Sequence, residues 1–338
     1  MRFFIRAWRA AAAALALAVL LAAAGPAPAQ QPSSVNPTAS SVKEEQLLRE
    51  LQRVQGRITI PDSRESVLIQ PAGQDWRHFN QVTLRWIGAI AILGMLGALA
   101  LFYVRRGRIA IAGGPSGRRI LRFGGLERAV HWLTAGSFIV LALSGLNITF
   151  GRALLAPLLG PDAFAALAQW GKYAHNFLAF PFMLGLVVML AVWVRDNVPG
   201  AIDVAWLKAG GGLVGDAHPP AKRFNGGQKL IFWSVILGGA GLSVTGLLLL
   251  FPFVGTTMAG MQLAQILHGL ISTLLIAIMI AHIYIGSLGM EGAFDAMGTG
   301  RVDYNWAKEH HALWVEQELA KAREVAGSPP GIKAAGAD

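Results

Sequence analysis

A chain of 338 residues that is 54% hydrophobic, only 14% charged and has a mean hydropathy of +0.48 is composed as an integral membrane protein, not as a soluble enzyme. Its net charge of +10 does not indicate nucleic acid, because the basic residues gather in loops beside apolar runs, as the positive-inside rule describes. Cysteine is absent, which excludes disulfides, cysteine-ligated iron–sulfur clusters and covalently attached c-type haem, so a redox centre here would be held by histidine or methionine.

The first residues have the form of a secretory signal. Arg2, Arg6 and Arg9 precede an alanine- and leucine-rich stretch, and Ala27-Pro28-Ala29 offers a small-residue cleavage site, so residues 1–29 are expected to be a signal peptide. An uncleaved N-terminal anchor is the alternative. Residues 30–80 are polar and read as a periplasmic extension, with a short amphipathic helix predicted around Lys43 to Val54. Five apolar runs follow, at about Thr83–Val104, Ala129–Phe150, Tyr173–Val194, Leu230–Phe253 and Leu263–Leu288. Each is near the ~20 residues that cross a bilayer as a helix. The expected fold is therefore all-α and membrane-integral: a four-helix transmembrane bundle over 126–290, preceded by an extra transmembrane helix at 81–105 and a basic loop at 106–125. A polar tail at 291–338 follows, with a charged helical pattern from Trp306 to Arg323.

Orientation comes from the loops. Seven arginines lie from Arg105 to Arg128 and five basic residues from Arg195 to Lys229, whereas Gly151–Lys172 holds only Arg152 and Lys172, and Val254–Gln262 holds none. The arginine-rich loops and the C-terminal tail are therefore expected in the cytoplasm of a bacterium, with the chain in its inner membrane.

Four of the eight histidines fall within or at the ends of the apolar runs: His131, His175, His268 and His282. His268 and His282 are fourteen residues apart, which on a helix is about 3.9 turns and roughly 21 Å, so both face nearly the same way. Ionisable side chains are costly at membrane depth and tend to mark function. The expected topology sorts the four into pairs of matching depth, His175 with His268 near the outer face and His131 with His282 near the inner face. Two bis-histidine b-type haems stacked across the membrane need that arrangement, since facing helices can present neutral imidazoles to haem iron. Ser144, Gly145, Gly171, Gly185, Gly269 and Gly286 would let a flat macrocycle approach the backbone. Each histidine taken singly could instead be a helix–helix hydrogen-bond donor. An intramembrane metal transporter could also use histidines, although it would normally recruit carboxylates, which these runs almost lack. A structural anchor tethering a periplasmic enzyme would need no cofactor. The other histidines, His78, His218, His310 and His311, read as solvated or interfacial.

Asn225 to Lys229 opens the fourth run at its cytoplasmic mouth. Asparagine there suits a helix N-cap, while neutral polar groups beside His282 could also hydrogen-bond a quinone oxygen.

Several segments together resemble the gamma subunit of membrane-bound respiratory formate dehydrogenase, a di-haem cytochrome b. They are Glu127-Arg128-Ala129-Val130-His131-Trp132, Leu143-Ser144-Gly145, Gly171-Lys172-Tyr173-Ala174-His175, Phe224-Asn225-Gly226-Gly227-Gln228-Lys229, Phe232-Trp233-Ser234, His268-Gly269, Ala281-His282-Ile283-Tyr284 and Trp306-Ala307-Lys308-Glu309-His310-His311. The resemblance runs from about Phe123 to Glu318. Cytochrome b subunits of nickel–iron hydrogenases and related quinone reductases share such haem ligands. The resemblance implies two haems b, with His175 and His268 holding the outer iron and His131 and His282 the inner one. It implies a quinone site at Asn225, Gly227 and Gln228, with His282 close by. It implies electrons received from an iron–sulfur beta subunit, itself fed by a molybdenum or tungsten alpha subunit, and no formate-oxidising site on this chain. The signal-like start, the 30–80 extension and the extra span depart from the compact family pattern.

Overall fold

The computed structural model describes residues 57–58, 68–69, 71–212 and 219–327. The expected signal peptide, the predicted helix at Lys43–Val54 and His218 lie outside the described residues. A two-residue strand pair, β1 (Arg57–Ile58) with β2 (Leu68–Ile69), precedes the helices. Five helices are long and apolar enough to cross a membrane: α1 (Ala72–Arg106), α2 (Gly125–Leu154), α3 (Pro161–Trp193), and, after the short α4 (Ala201–Lys208), α5 (Gly226–Leu250) and α6 (Met258–Gly289). A spanning chain must satisfy its backbone internally where no water reaches, and the helix does so within one segment. The chain is an all-α, multi-pass membrane protein.

The helices outrun the apolar stretches that announce them. α1 begins near residue 72 instead of 83, and α3 near 161 instead of 173. The 33 residues of α3 span about 50 Å, more than the ~30 Å hydrocarbon core. Hydropathy registers only the part of a helix in contact with lipid, whereas its polar turns continue beyond it. Pro161 starts α3 where its missing N–H costs nothing, following Gly160 at φ 78°. His175, expected at the start of a helix, thus lies well inside α3. Large apolar side chains such as Trp86, Ile90, Leu93 and Val104 of α1 and Val187 of α3 are exposed, as a lipid-facing surface requires.

The chain divides into two compact units: residues up to Gly88 with Ala135–Phe182 and Leu242–Leu270, and Ala89–Thr134 with Met183–Gly241 and Ile271–Asp338. Each of the five long helices contributes one stretch to each unit. In the first unit α1 is seated through Leu84, whose side chain occupies the space a Cβ on Gly269 of α6 would need. In the second, Phe102 and Tyr103 of α1 meet the Tyr284 ring edge-on at 6.3 and 6.4 Å. There too, Gly185 of α3 makes room for the Thr134 side chain of α2.

The second unit also carries a folded polar region. β3 (Arg119–Leu121) pairs antiparallel with β4 (Arg301–Asp303), Ile120 opposite Val302, and the tail continues as α7 (Tyr304–His310) and α8 (Ala312–Gly327). Burial alone would raise the Asp303 carboxyl, but bonds from Ser116, Asn305 and Gly117 hold it below the usual carboxylate range.

Candidate haem-binding site

The four intramembrane histidines form two pairs, each within one unit. His175 of α3 faces His268 of α6 with ring centroids 6.2 Å apart. His131 of α2 faces His282 of α6 at 6.3 Å. An iron bound between two imidazole nitrogens at about 2 Å from each would place the ring centroids about 6 Å apart. Both pairs have that spacing, so the residues present fit an axially ligated haem at each. Interplanar angles of 59° and 58° make the pairs alike in ring twist as well. No group of three or more histidine, aspartate, glutamate or cysteine side chains suited to a bare metal ion occurs among the described residues. Two opposed imidazoles would suit the iron of a haem, whereas zinc or a transported ion would seek more protein ligands.

The hydrogen bonds fix the tautomers of the first pair. Ser144 Oγ lies 2.9 Å from His175 Nδ1, and Thr245 Oγ1 lies 2.9 Å from His268 Nδ1. The Ser144 hydroxyl donates to the Val140 carbonyl at 2.7 Å, also 3.1 Å from Leu141 O, and the Thr245 hydroxyl donates to Leu242 O at 3.3 Å. With each hydroxyl proton directed at its own helix backbone, the oxygen accepts, and Nδ1–H of the imidazole donates. Nε2 then keeps its lone pair for a metal. A glycine follows each hydroxyl. A Cβ on Gly145 would come within 3.6 Å of His175 Cε1, and one on Gly246 within 3.3 Å of His268 Cε1.

The second pair is set differently. Nδ1 of His131 is buried with no hydrogen-bond partner. The ring meets Trp132 edge-on at 5.0 Å, and Trp132 Nε1 donates to Met297 O at 2.9 Å. Arg128 Nη2 donates to Gly298 O at 2.7 Å, so the turn after α6 is tied to the helix bearing His131.

The small residues expected to admit a macrocycle divide by role. Gly145 lies against the His175 ring; Gly171 abuts Asn147 and Ser144; Gly185 and Gly269 accommodate Thr134 and Leu84; Gly286 has open space beside it. Thr245 and Gly246 escaped the sequence reading. The signal was present as a repeated hydroxyl–glycine dipeptide, Ser144-Gly145 and Thr245-Gly246, on two different helices. Asn147–Gly151, within α2, and Ile285–Gly289, at the end of α6, are π-helical turns close in sequence to Gly145 and to His282.

Asn225, Gly227 and Gln228 begin α5. Asn225 Oδ1 accepts from Gln228 N at 2.9 Å, and Gln228 Oε1 accepts from Asn225 N at 3.1 Å. This is a reciprocal capping box, and it commits both side-chain oxygens to the helix start. Only the amide NH₂ ends could serve a quinone oxygen. Gly227 provides room for the Trp206 ring of α4, which lies 3.1 Å from where a Cβ would stand. The next residue, Lys229, is buried and paired with Asp203 of α4 at 2.8 Å.

His311, expected in a solvated tail, is fully buried. Its Nδ1 donates to Lys222 O at 2.8 Å, so Nε2 accepts from Arg122 Nη2 at 3.0 Å. Arg122 lies over the rings of Phe123, Trp306 and Trp314 at 5.1, 5.4 and 5.0 Å. Burial, with the neighbouring Arg223 guanidinium, lowers Arg122 to about 9. Burial beside Arg122 puts His311 well below the usual imidazole range, which keeps it neutral as its acceptor role requires. Arg223 bridges Glu127 at 2.7 Å and Asp196 at 2.8 Å, and Glu127 also accepts from Trp193 Nε1 at 2.7 Å. The tail is thus part of the fold, because Trp306 and Trp314 bury what its charged pattern seemed to expose.

Residues 122–300, just over half of the chain, match the family described as Prokaryotic cytochrome b561. The chain is 29% identical over 221 residues to the nitrate-inducible formate dehydrogenase cytochrome b556(Fdn) subunit of Escherichia coli K12, covering 64% of this chain and 98% of that protein. It is 29% identical over 209 residues to a second formate dehydrogenase cytochrome b556 subunit of the same strain, covering 61% of this chain and 95% of that one. The formate dehydrogenase cytochrome b556 subunit of Haemophilus influenzae is 26% identical over 215 residues, covering 61% of this chain and 86% of its own length.

Proposed function

The chain belongs to the prokaryotic cytochrome b561 family, and from that premise we propose that it is the di-haem cytochrome b subunit of a membrane-bound formate dehydrogenase. In this reading it carries electrons from a periplasmic iron–sulfur subunit, fed by a molybdenum or tungsten subunit, across the inner membrane to quinone near the cytoplasmic face. The observation that carries it is the matched pair of opposed imidazoles, at 6.2 and 6.3 Å, each suited to one haem. Bound there, haem b would supply the one-electron carrier that no side chain of this chain can provide.

The chain's own residues hold and space those centres. His175 and His268 would hold the outer haem; His131 and His282 the inner one. Because His268 and His282 share the continuous helix α6, their fourteen-residue separation sets the step across the membrane at roughly 21 Å. The basic loops around Arg105–Arg128 and Arg195–Lys229 support a cytoplasmic location for the His131/His282 end and for the tail. Quinone would bind at that end, its oxygen meeting the amide NH₂ of Asn225 or Gln228, with Gly227 setting how closely Trp206 packs beneath. Protons taken from the cytoplasm would make the reaction contribute to the membrane potential.

His282→Ala separates this reading from a tethering role. The variant is expected to lose quinone reduction by the purified complex while the haem held by His175 and His268 is still reduced by formate. Full quinone turnover in the variant would overturn the assignment. Co-purification with a molybdenum or tungsten formate-oxidising subunit distinguishes it from a hydrogenase cytochrome; co-purification with a nickel–iron subunit would favour the latter.

A further inference from the structure

The two histidine pairs are equal in ring spacing and unequal in what their Nδ1 atoms meet, and this inequality has a direction. We propose that Ser144 and Thr245 are positioning residues that hold the reduction potential at the His175/His268 haem below that at the His131/His282 haem, so that electron transfer from the outer to the inner site is downhill. The inference rests on the di-haem reading above.

Ser144 and Thr245 each direct their own proton to a carbonyl of the preceding helical turn, leaving an oxygen 2.9 Å from a ligand Nδ1. Each imidazole is thereby a hydrogen-bond donor on the side away from the metal. A ligand histidine that donates in this way is fixed in ring orientation and becomes a more basic ligand. A more basic axial ligand favours oxidised over reduced iron, which lowers the potential. The effect acts from both sides of the iron, because the device is duplicated: Ser144 on α2 serves His175 and Thr245 on α5 serves His268.

At the other pair, His131 Nδ1 is buried and has no acceptor. Its donor gains nothing from the protein, and the ligand stays less basic. The same two glycines, Gly145 and Gly246, that follow the hydroxyls leave the His175 and His268 rings room to lie against their helices at the angle the hydrogen bond sets. No proton leaves Nδ1 in this scheme; the hydrogen bonds change only where one electron prefers to rest.

Potentiometric titration of the purified complex tests this, with Ser144→Ala, Thr245→Val and the double variant beside the unsubstituted chain. The outer haem is identified as the component lost in His175→Ala. The double variant is expected to raise the outer midpoint by the equivalent of about tenfold in the one-electron equilibrium, ~59 mV, with the inner midpoint unchanged. Its low-spin electron paramagnetic resonance signal should shift too, because the ring is free to turn. Thr245→Ser, which keeps the acceptor, should restore the potential. Loss of the outer haem from Thr245→Val but not from Thr245→Ser would also support the assignment, since the hydroxyl would then be what holds the ring. An unchanged outer midpoint with both haems retained, or an equal shift at both haems, would overturn it. A single haem in the unsubstituted chain would instead defeat the di-haem reading on which it rests.

Discussion

The His175/His268 and His131/His282 pairs have nearly the same ring separation, 6.2 and 6.3 Å, and nearly the same twist, yet their surroundings share little. At the first pair, hydroxyls accept from both imidazole rings and glycines lie against them. At the second, His131 Nδ1 is buried without a hydrogen-bond partner, and the ring meets that of Trp132 at 5.0 Å with perpendicular planes. The spacing follows from helix register, which four histidines at suitable positions are enough to fix. The environment follows from other side chains, such as Ser144 and Thr245 on neighbouring helices, 31 and 23 positions from His175 and His268. One chain therefore presents two histidine pairs of the same spacing in different surroundings.

The largest effect on this comparison comes from the ligands themselves. His175→Ala or His268→Ala is expected to remove one haem of two and leave the other, while His131→Ala or His282→Ala removes the converse one. Haem content per chain and the reduced-minus-oxidised spectrum check it, and loss of both haems from a single substitution would show that the pairs are not independent. Gly246→Val comes next. Its side chain would press on His268, whose ring is already 3.3 Å from a Cβ at that position, so the outer haem should be lost or become high-spin while the inner one is kept. Optical spectra read the outcome.

Stability provides a smaller contrast. Lys229→Ala leaves Asp203 as a buried charge without its partner, at a cost of about 3–5 kcal/mol. Thermal melting in detergent should show a marked fall, and a double Lys229→Met/Asp203→Leu variant should recover much of it. A still smaller effect is expected from pH. The folded-state His311 titrates well below its ordinary value, so the unfolded chain binds the extra proton first; stability is full above about pH 6.5 and declines as pH falls below it. Protection of the backbone amides of residues 304–315, measured relative to the intrinsic exchange rate at each pH, should fall from pH 7 to pH 5, and His311→Gln should remove that fall.

How much of this could be read from the chain depends on how far each residue's role is local. Intramembrane histidines stand out against leucine and alanine because few ionisable groups are tolerated there, so the two facing histidine pairs and the five spans are visible in one dimension. Helix ends were less so: α3 continues a dozen residues past its apolar run, because polar turns are helical outside the lipid as well as within it. Asn225 and Gln228, three residues apart, carried a capping signature, and the capping box forms; whether their amide ends also meet a quinone depends on a ligand whose position no spacing encodes. Thr245 has no local mark of its contact, since its partner His268 is 23 positions away. His311 was misread as solvated for the same reason. Its burial depends on Arg122 and Lys222, 189 and 89 residues earlier, and on two tryptophans of its own segment.

The central claim is that each pair of opposed histidines holds one haem b. The most direct test is the haem-to-protein ratio of the purified chain, measured for the unsubstituted protein and for His175→Ala and His282→Ala. The account predicts two haems per chain, falling to one in each variant, with different midpoint potentials for the haem that remains. A ratio of one or none in the unsubstituted chain, or two haems retained in either variant, would contradict it.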